Sequence, residues 1–194
     1  GRQQLDKGYV LGLYEKALPA GLDFPQKLAA ARQCGFDFLE ISIDETDEKL
    51  SRLNWPVEKI LDLKRACMEA GLPIRTMCLS GSRRFPIGSA DRATEQRGMD
   101  IVFRAIDFAA ELGIRIVQLA GYDVYYEPST EATRALFAQN LKRCAGRAAR
   151  AGVMLAFETM EVDFMNSVEK AMKYVRMVDS PYLQVYPDTG NVTN

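Results

Sequence analysis

The stretches Val153-Met154-Leu155-Ala156-Phe157-Glu158 and Tyr182-Leu183-Gln184-Val185-Tyr186-Pro187-Asp188 decide how this chain is read. Each is a short, mostly apolar run closed by a carboxylate, the pattern of a buried strand with a polar end. Side chains alternate faces along a strand. Glu158 therefore shares a face with Ala156 and Met154, and Asp188 with Tyr186 and Gln184, while Leu155, Phe157, Leu183 and Val185 take the other face. Both acids then project from one mouth. In a parallel sheet backed by helices, that mouth is where ligands and metals sit.

Outward from these two runs, strand and helix patterns alternate along the whole chain. Strands are expected at residues 9–13, 36–43, 74–79, 114–120, 153–158 and 182–188. Between them lie five helical patterns. The first runs from about Asp23, with Phe24, Leu28 and Ala31 at helix spacing and Gly35 as its stop; the others cover residues 56–70, 93–112, 130–151 and about 167–178. Gly71, Gly113 and Gly152 follow three of these helices, the position where a helix most often ends on a left-handed residue. Such alternation implies parallel strands joined by right-handed crossovers. With six strands and five helices, residues 9–194 read as the N-terminal three quarters of a (β/α)8 barrel, which takes about 250 residues when complete. Residues 1–8 read as a tail. A doubly wound open sheet also fits the length, but the first strand lacks a glycine-rich phosphate turn.

Composition limits the function. With 194 residues, 47% hydrophobic and 26% charged, the chain is expected to be a soluble single domain. A net charge of -1 gives no long-range pull toward nucleic acid or an anionic membrane, so neither is expected as a partner. No apolar run approaches the roughly 20 residues that span a bilayer. The four cysteines, Cys34, Cys67, Cys78 and Cys144, are far apart and mostly in apolar stretches, which suits buried thiols in a reducing cytoplasm. There is no histidine. Chemistry must then run on carboxylates, lysine, tyrosine or metal-bound water.

Hard oxygen ligands on neighbouring strand ends suit Mg2+ or Mn2+, so Glu158 and Asp188 are the candidate metal ligands; the alternative is that they cap the following helices or pair with arginines. The segment Ser80-Gly81-Ser82-Arg83-Arg84-Phe85-Pro86 follows the third strand, and its arginines offer forked donors for phosphate or carboxylate, or else form a solvated surface pair. The run Tyr122-Asp123-Val124-Tyr125-Tyr126 closes over a polar ligand or packs as a loop on nothing in particular. Tyr14, Glu15 and Lys16, with Glu40, Ser42 and Asp44, add polar groups to the rim, or simply fill a barrel mouth.

Several strings in order resemble one family: Leu13-Tyr14-Glu15-Lys16-Ala17-Leu18-Pro19, Asp44-Glu45-Thr46-Asp47-Glu48, Arg83-Arg84-Phe85-Pro86, Gln118-Leu119-Ala120-Gly121-Tyr122-Asp123-Val124-Tyr125-Tyr126 and Tyr186-Pro187-Asp188-Thr189-Gly190-Asn191. Together they are similar to the L-ribulose-5-phosphate (L-xylulose-5-phosphate) 3-epimerases of L-ascorbate and pentose catabolism, members of the xylose-isomerase-like TIM barrel superfamily. The resemblance implies a cytoplasmic, homodimeric isomerase that uses a divalent metal, Mg2+ or Mn2+ with Zn2+ as the alternative. It implies a pentulose 5-phosphate substrate epimerised at C3 through a metal-stabilised enediolate. Glu158 matches a residue that is both metal ligand and acid or base, and Asp188 a second ligand; a histidine and a further glutamate would fall beyond Asn194. Arg83, Arg84, Tyr125 and Asn191 are the residues the resemblance offers for substrate binding, and Ser82 stands where the family commonly carries histidine. The competing expectation is a catalytically incompetent barrel fragment that self-associates through its sheet edges, or another metal-dependent enzyme of the superfamily.

Overall fold

The computed structural model describes residues 8–192, so the expected tail, save Gly8, lies outside the described residues. Six strands, β1 (Gly12–Tyr14), β2 (Phe38–Ile43), β3 (Ile74–Leu79), β4 (Ile116–Ala120), β5 (Met154–Glu158) and β6 (Leu183–Tyr186), pair in that order, every pair parallel. Helices α1 (Phe24–Gln33), α2 (Asp47–Ser51), α3 (Val57–Ala70), α4 (Arg92–Leu112), α5 (Glu131–Ala151), α6 (Val168–Val178) and α7 (Thr189–Val192) lie between and after them. The result is the expected incomplete barrel.

Its core is the layer between sheet and helices. Leu39, Ile41, Met77, Leu79, Val117, Leu155, Phe157 and Leu183, the outward residues of their strands, are buried against Leu28, Ala31, Leu63, Ala105, Ile106, Leu141 and Ala148 on the inner stripes of the helices. Removing this apolar surface from water is the main force that holds the arc together. The helix ends follow from local chemistry. Asp23 and Thr130 form capping boxes with Gln26 and Thr133. Helices α3, α4 and α5 stop on left-handed Gly71, Gly113 and Gly152. Helix α6 stops instead on Asp179, at φ 52, the one described residue other than glycine with positive φ.

The structure departs from expectation in four places. Strand β1 starts at Gly12, not at residue 9, because Tyr9 and Val10 are exposed and unpaired in the sheet. Helix α2, the 3-10 turn Arg52–Asn54 and the helical turn α7 were not expected. Strand β6 ends at Tyr186, so Asp188 stands two residues past it. Finally, of the thiols expected to be buried, only Cys144 is; Cys67 and Cys78 are half-buried and Cys34 is exposed, though all four are free.

Candidate functional site

Glu158 closes β5, in register with Ala120 of β4 and Tyr186 of β6. Asp188 reaches the same mouth from beyond β6, and the two carboxyl groups hydrogen-bond to each other. Burial, and then the Asp188 carboxyl, push Glu158 up to about 7 from its ordinary 4.5, while Gln118 donates a hydrogen bond that works the other way. The Glu158 hydrogen bond holds Asp188 below its ordinary value. Near neutrality the shared proton therefore belongs to Glu158. Asp188 is fixed further by Thr159, whose hydroxyl accepts its backbone N–H at 3.0 Å, and by the N–H groups of Gly190 (2.7 Å) and Asn191 (3.2 Å), which donate to its Oδ1. Asp188 thus also caps α7, as the alternative reading of the strand-end acids allows. Gly121, just past β4, lets the chain pass close to the end of β5: a Cβ there would lie 2.2 Å from the Glu158 carbonyl oxygen.

Two carboxyls that face each other and share a proton form a hard-oxygen donor set for a divalent cation, which would replace that proton. They make up part of a coordination shell: among the described residues, no group of three or more His, Cys, Asp or Glu gathers to hold a metal.

The other expected residues divide. Arg83 faces the acids, its charge acting on Glu158 and its guanidinium lying 5.5 Å from the Tyr125 ring and 5.9 Å from that of Tyr122. Its buried Nε has no hydrogen-bond partner. Tyr122, Tyr125 and Tyr126 stack edge to face into a strap, anchored by Tyr122 donating to Glu161 at one end and Tyr126 to Glu45 at the other. Arg84 turns away, pairing with Asp47 at 2.7 Å and with the carbonyl of Glu45. Asn191 ties α7 to the end of β5 by donating from Nδ2 to the Thr159 carbonyl at 2.9 Å.

Glu15 is not a rim residue. It is 1% exposed and accepts from Lys27 (2.7 Å), Lys49 (3.0 Å), both terminal nitrogens of Arg52 (2.8 and 2.9 Å) and the Ser42 backbone N–H (2.9 Å). Burial alone would raise its pKa, but these donors, Arg52 and Lys27 foremost, hold it far below the ordinary carboxylate range. Asp44 pairs with Lys16 at 3.0 Å beside this cluster. Inside the barrel, burial raises Glu40, pushes Cys78 up to about 11 and Tyr186 to about 12. Sequence spacing carried no signal for these contacts, which join residues far apart in the chain.

The sequence model of the xylose isomerase-like TIM barrel family matches residues 28–194. The chain belongs to this family. Among relatives, it is 49% identical over 189 residues to the L-ribulose-5-phosphate 3-epimerase UlaE of Salmonella heidelberg (strain SL476), a match covering 97% of this chain and 66% of the relative. The chain therefore spans about two thirds of the length of the curated relatives it matches. Among solved structures, D-psicose 3-epimerase with D-tagatose from Clostridium cellulolyticum H10 agrees with a TM-score of 0.81 at 16% identity, over 95% of this chain and 65% of that one. A xylose isomerase-like TIM barrel protein from Mycobacterium smegmatis in complex with magnesium agrees with a TM-score of 0.69 at 20% identity, over 92% and 60%. At such identities the likeness is one of fold.

Proposed function

We propose that this chain supplies the β5 and β6 side of the active site of a sugar-phosphate 3-epimerase that interconverts L-ribulose 5-phosphate and L-xylulose 5-phosphate, which differ only at C3. The identity with the UlaE epimerases supports the substrate class. The observation that carries the reading is the Glu158–Asp188 pair, a carboxyl with a pKa of about 7 that faces a second carboxylate at the mouth. A group that titrates near the working pH is suited both to take and to return a proton.

In this reading Glu158 and Asp188 hold a divalent cation, Mg2+ or Mn2+ in preference to Zn2+. When bound, the cation polarises the ketose carbonyl and offsets the negative charge that develops as C3 loses its proton. Glu158 exchanges that proton on one face of C3, oriented by Gln118. Arg83 supplies the charge for a phosphate or a developing oxyanion, with Tyr125 and the rest of the aromatic strap covering the ligand. Asn191, beside Asp188, adds a substrate contact, while Arg84, turned toward Asp47, is left outside the site. The same likeness supports a cytoplasmic homodimer serving L-ascorbate and pentose catabolism; among the described residues no helix is long and apolar enough to cross a membrane.

The test is hydrogen exchange at C3. Incubated with L-ribulose 5-phosphate and Mn2+ in D2O, the protein is expected to replace the C3 hydrogen with deuterium and to form L-xylulose 5-phosphate, both read by proton NMR. Retention of the C3 hydrogen with Mg2+, Mn2+ and Zn2+ alike would sink the proposal.

A further inference from the structure

The strand register sorts the inward-facing side chains into layers. In a closed eight-stranded barrel of shear 8, neighbouring strands are offset by about one residue, and a layer draws its side chains from alternate strands. With the pairings Tyr14↔Glu40, Glu40↔Thr76, Cys78↔Gln118, Gln118↔Ala156 and Glu158↔Tyr186, this offset puts Tyr14, Cys78 and Glu158 in one layer and Glu40, Gln118 and Tyr186 in the next one down. The hydrogen bonds agree with that sorting. Tyr14 bonds to Cys78 within the upper layer, and Tyr186 bonds to Glu40 within the lower one, a contact that crosses the lumen from β6 to β2. Gln118 bonds upward to Glu158.

Both layers are polar where barrels of this kind place Val, Ile and Leu. Buried polar groups cost stability unless satisfied, and these are satisfied: Thr76 donates to Glu40 Oε2 at 2.6 Å, and the Tyr14 hydroxyl meets Ser42 Oγ at 3.2 Å. The lower layer makes two contacts that bear on the acids above. One is to Glu158 itself. The other fixes Tyr186, the last residue of β6, two residues before Asp188 on the same face.

We propose that Glu40, Gln118 and Tyr186 are positioning residues: Gln118 orients the Glu158 carboxyl, while Glu40 holds Tyr186 across the lumen and so sets where the end of β6 presents Asp188. This rests on the reading of Glu158 and Asp188 as cation ligands. Residues that brace metal ligands from behind govern affinity without touching the metal, commonly by ten-fold or more.

The experiment measures Mn2+ affinity of the protein by the EPR signal of free Mn2+, together with backbone hydrogen exchange. Tyr186→Phe and Gln118→Met are each expected to weaken Mn2+ binding about tenfold. Glu40→Gln, which keeps an acceptor for the phenol, is expected to stay within about twofold of the parent, and so is Thr133→Val, a buried change far from the layer that lowers stability alone. Parent-like Mn2+ affinity in both Tyr186→Phe and Gln118→Met overturns the proposal, as does a loss in Thr133→Val equal to theirs. If the parent protein binds no Mn2+, the cation reading itself fails, and exchange decides the positioning role. Tyr186→Phe is then expected to speed exchange across Leu183–Tyr186 about tenfold while β3 and β4 keep their protection; unchanged β6 exchange rejects it.

Discussion

Glu15 follows β1 and Glu158 closes β5 of the same sheet, and their surroundings are opposite. Glu15 is enclosed by Lys27, Lys49 and Arg52, which hold it ionised and spend its charge on structure. Glu158 faces another carboxyl and keeps a proton up to about pH 7. A satisfied acid is a strut. An acid left short of positive charge, beside a second one, is a place for a cation or a transferable proton, and that contrast separates scaffold from site more sharply than residue type or position does.

The largest effect is expected where the strut is removed. Glu15→Gln leaves three cations crowded together with little solvent, and it should cost about 3–5 kcal/mol in urea unfolding. The wild-type contribution has a definite pH range. Because the folded-state pKa of Glu15 lies below 4.5, its stabilisation is full above that value and drains away as the pH falls below it. Acid unfolding should accordingly be steeper in the wild type than in the variant.

Glu158→Gln should invert that result. Exchange at C3 is expected to fall by about 10²- to 10⁴-fold, while stability holds or rises, since a neutral amide that can donate to Asp188 replaces a second ionisable carboxyl beside it. Here the folded-state pKa is raised, from 4.5 to about 7. The favourable contribution is present below 4.5 and is lost as the pH rises through 7, so without cation the melting temperature should decline over that range in the wild type and stay flatter in the variant. A stability loss as large as that of Glu15→Gln would erase the distinction between the two acids.

Cation binding sharpens it further. Mn2+ at a hundred times its pH 8 Kd should stabilise the wild type by about 2.7 kcal/mol in thermal unfolding, and the same concentration should stabilise it less at pH 6, where the cation must displace the Glu158 proton. Asp188→Asn should remove the effect. The smallest change is expected at Arg84, whose exposed pairing with Asp47 is worth less than about 1 kcal/mol. Arg84→Ala should leave unfolding nearly unaltered, whereas Arg83→Ala should raise the KM for the sugar phosphate about tenfold, the weight of one charge-assisted hydrogen bond.

Much of this architecture was legible in the sequence, because it depends on period. Alternation by two in β5 and β6 placed Glu158 and Asp188 on one face, and glycines after α3, α4 and α5 marked where those helices end. Short elements without a full amphipathic turn were not legible. Helix α2 has five residues, too few to show a stripe, although Thr46 with Asp47 and Glu48 is the acidic, hydroxyl-capped start of a helix. The role of Glu15 was hidden for another reason: its partners lie 12, 34 and 37 residues away, and no local pattern reports a contact that only the closed arc creates. The same holds for the bond between Tyr186 and Glu40, which exists only once the sheet curves far enough for β6 to meet β2.

One consequence concerns how the protein can be measured. The chain carries no imidazole, and burial drives Cys78 and Tyr186 to about 11 and about 12. Burial and the Asp188 carboxyl bring Glu158 to about 7, inside the range an imidazole would otherwise occupy. Calorimetry of cation binding in buffers of different ionisation heat would thus count the protons that the cation displaces, free of any imidazole contribution and with Glu158 as their source in this reading.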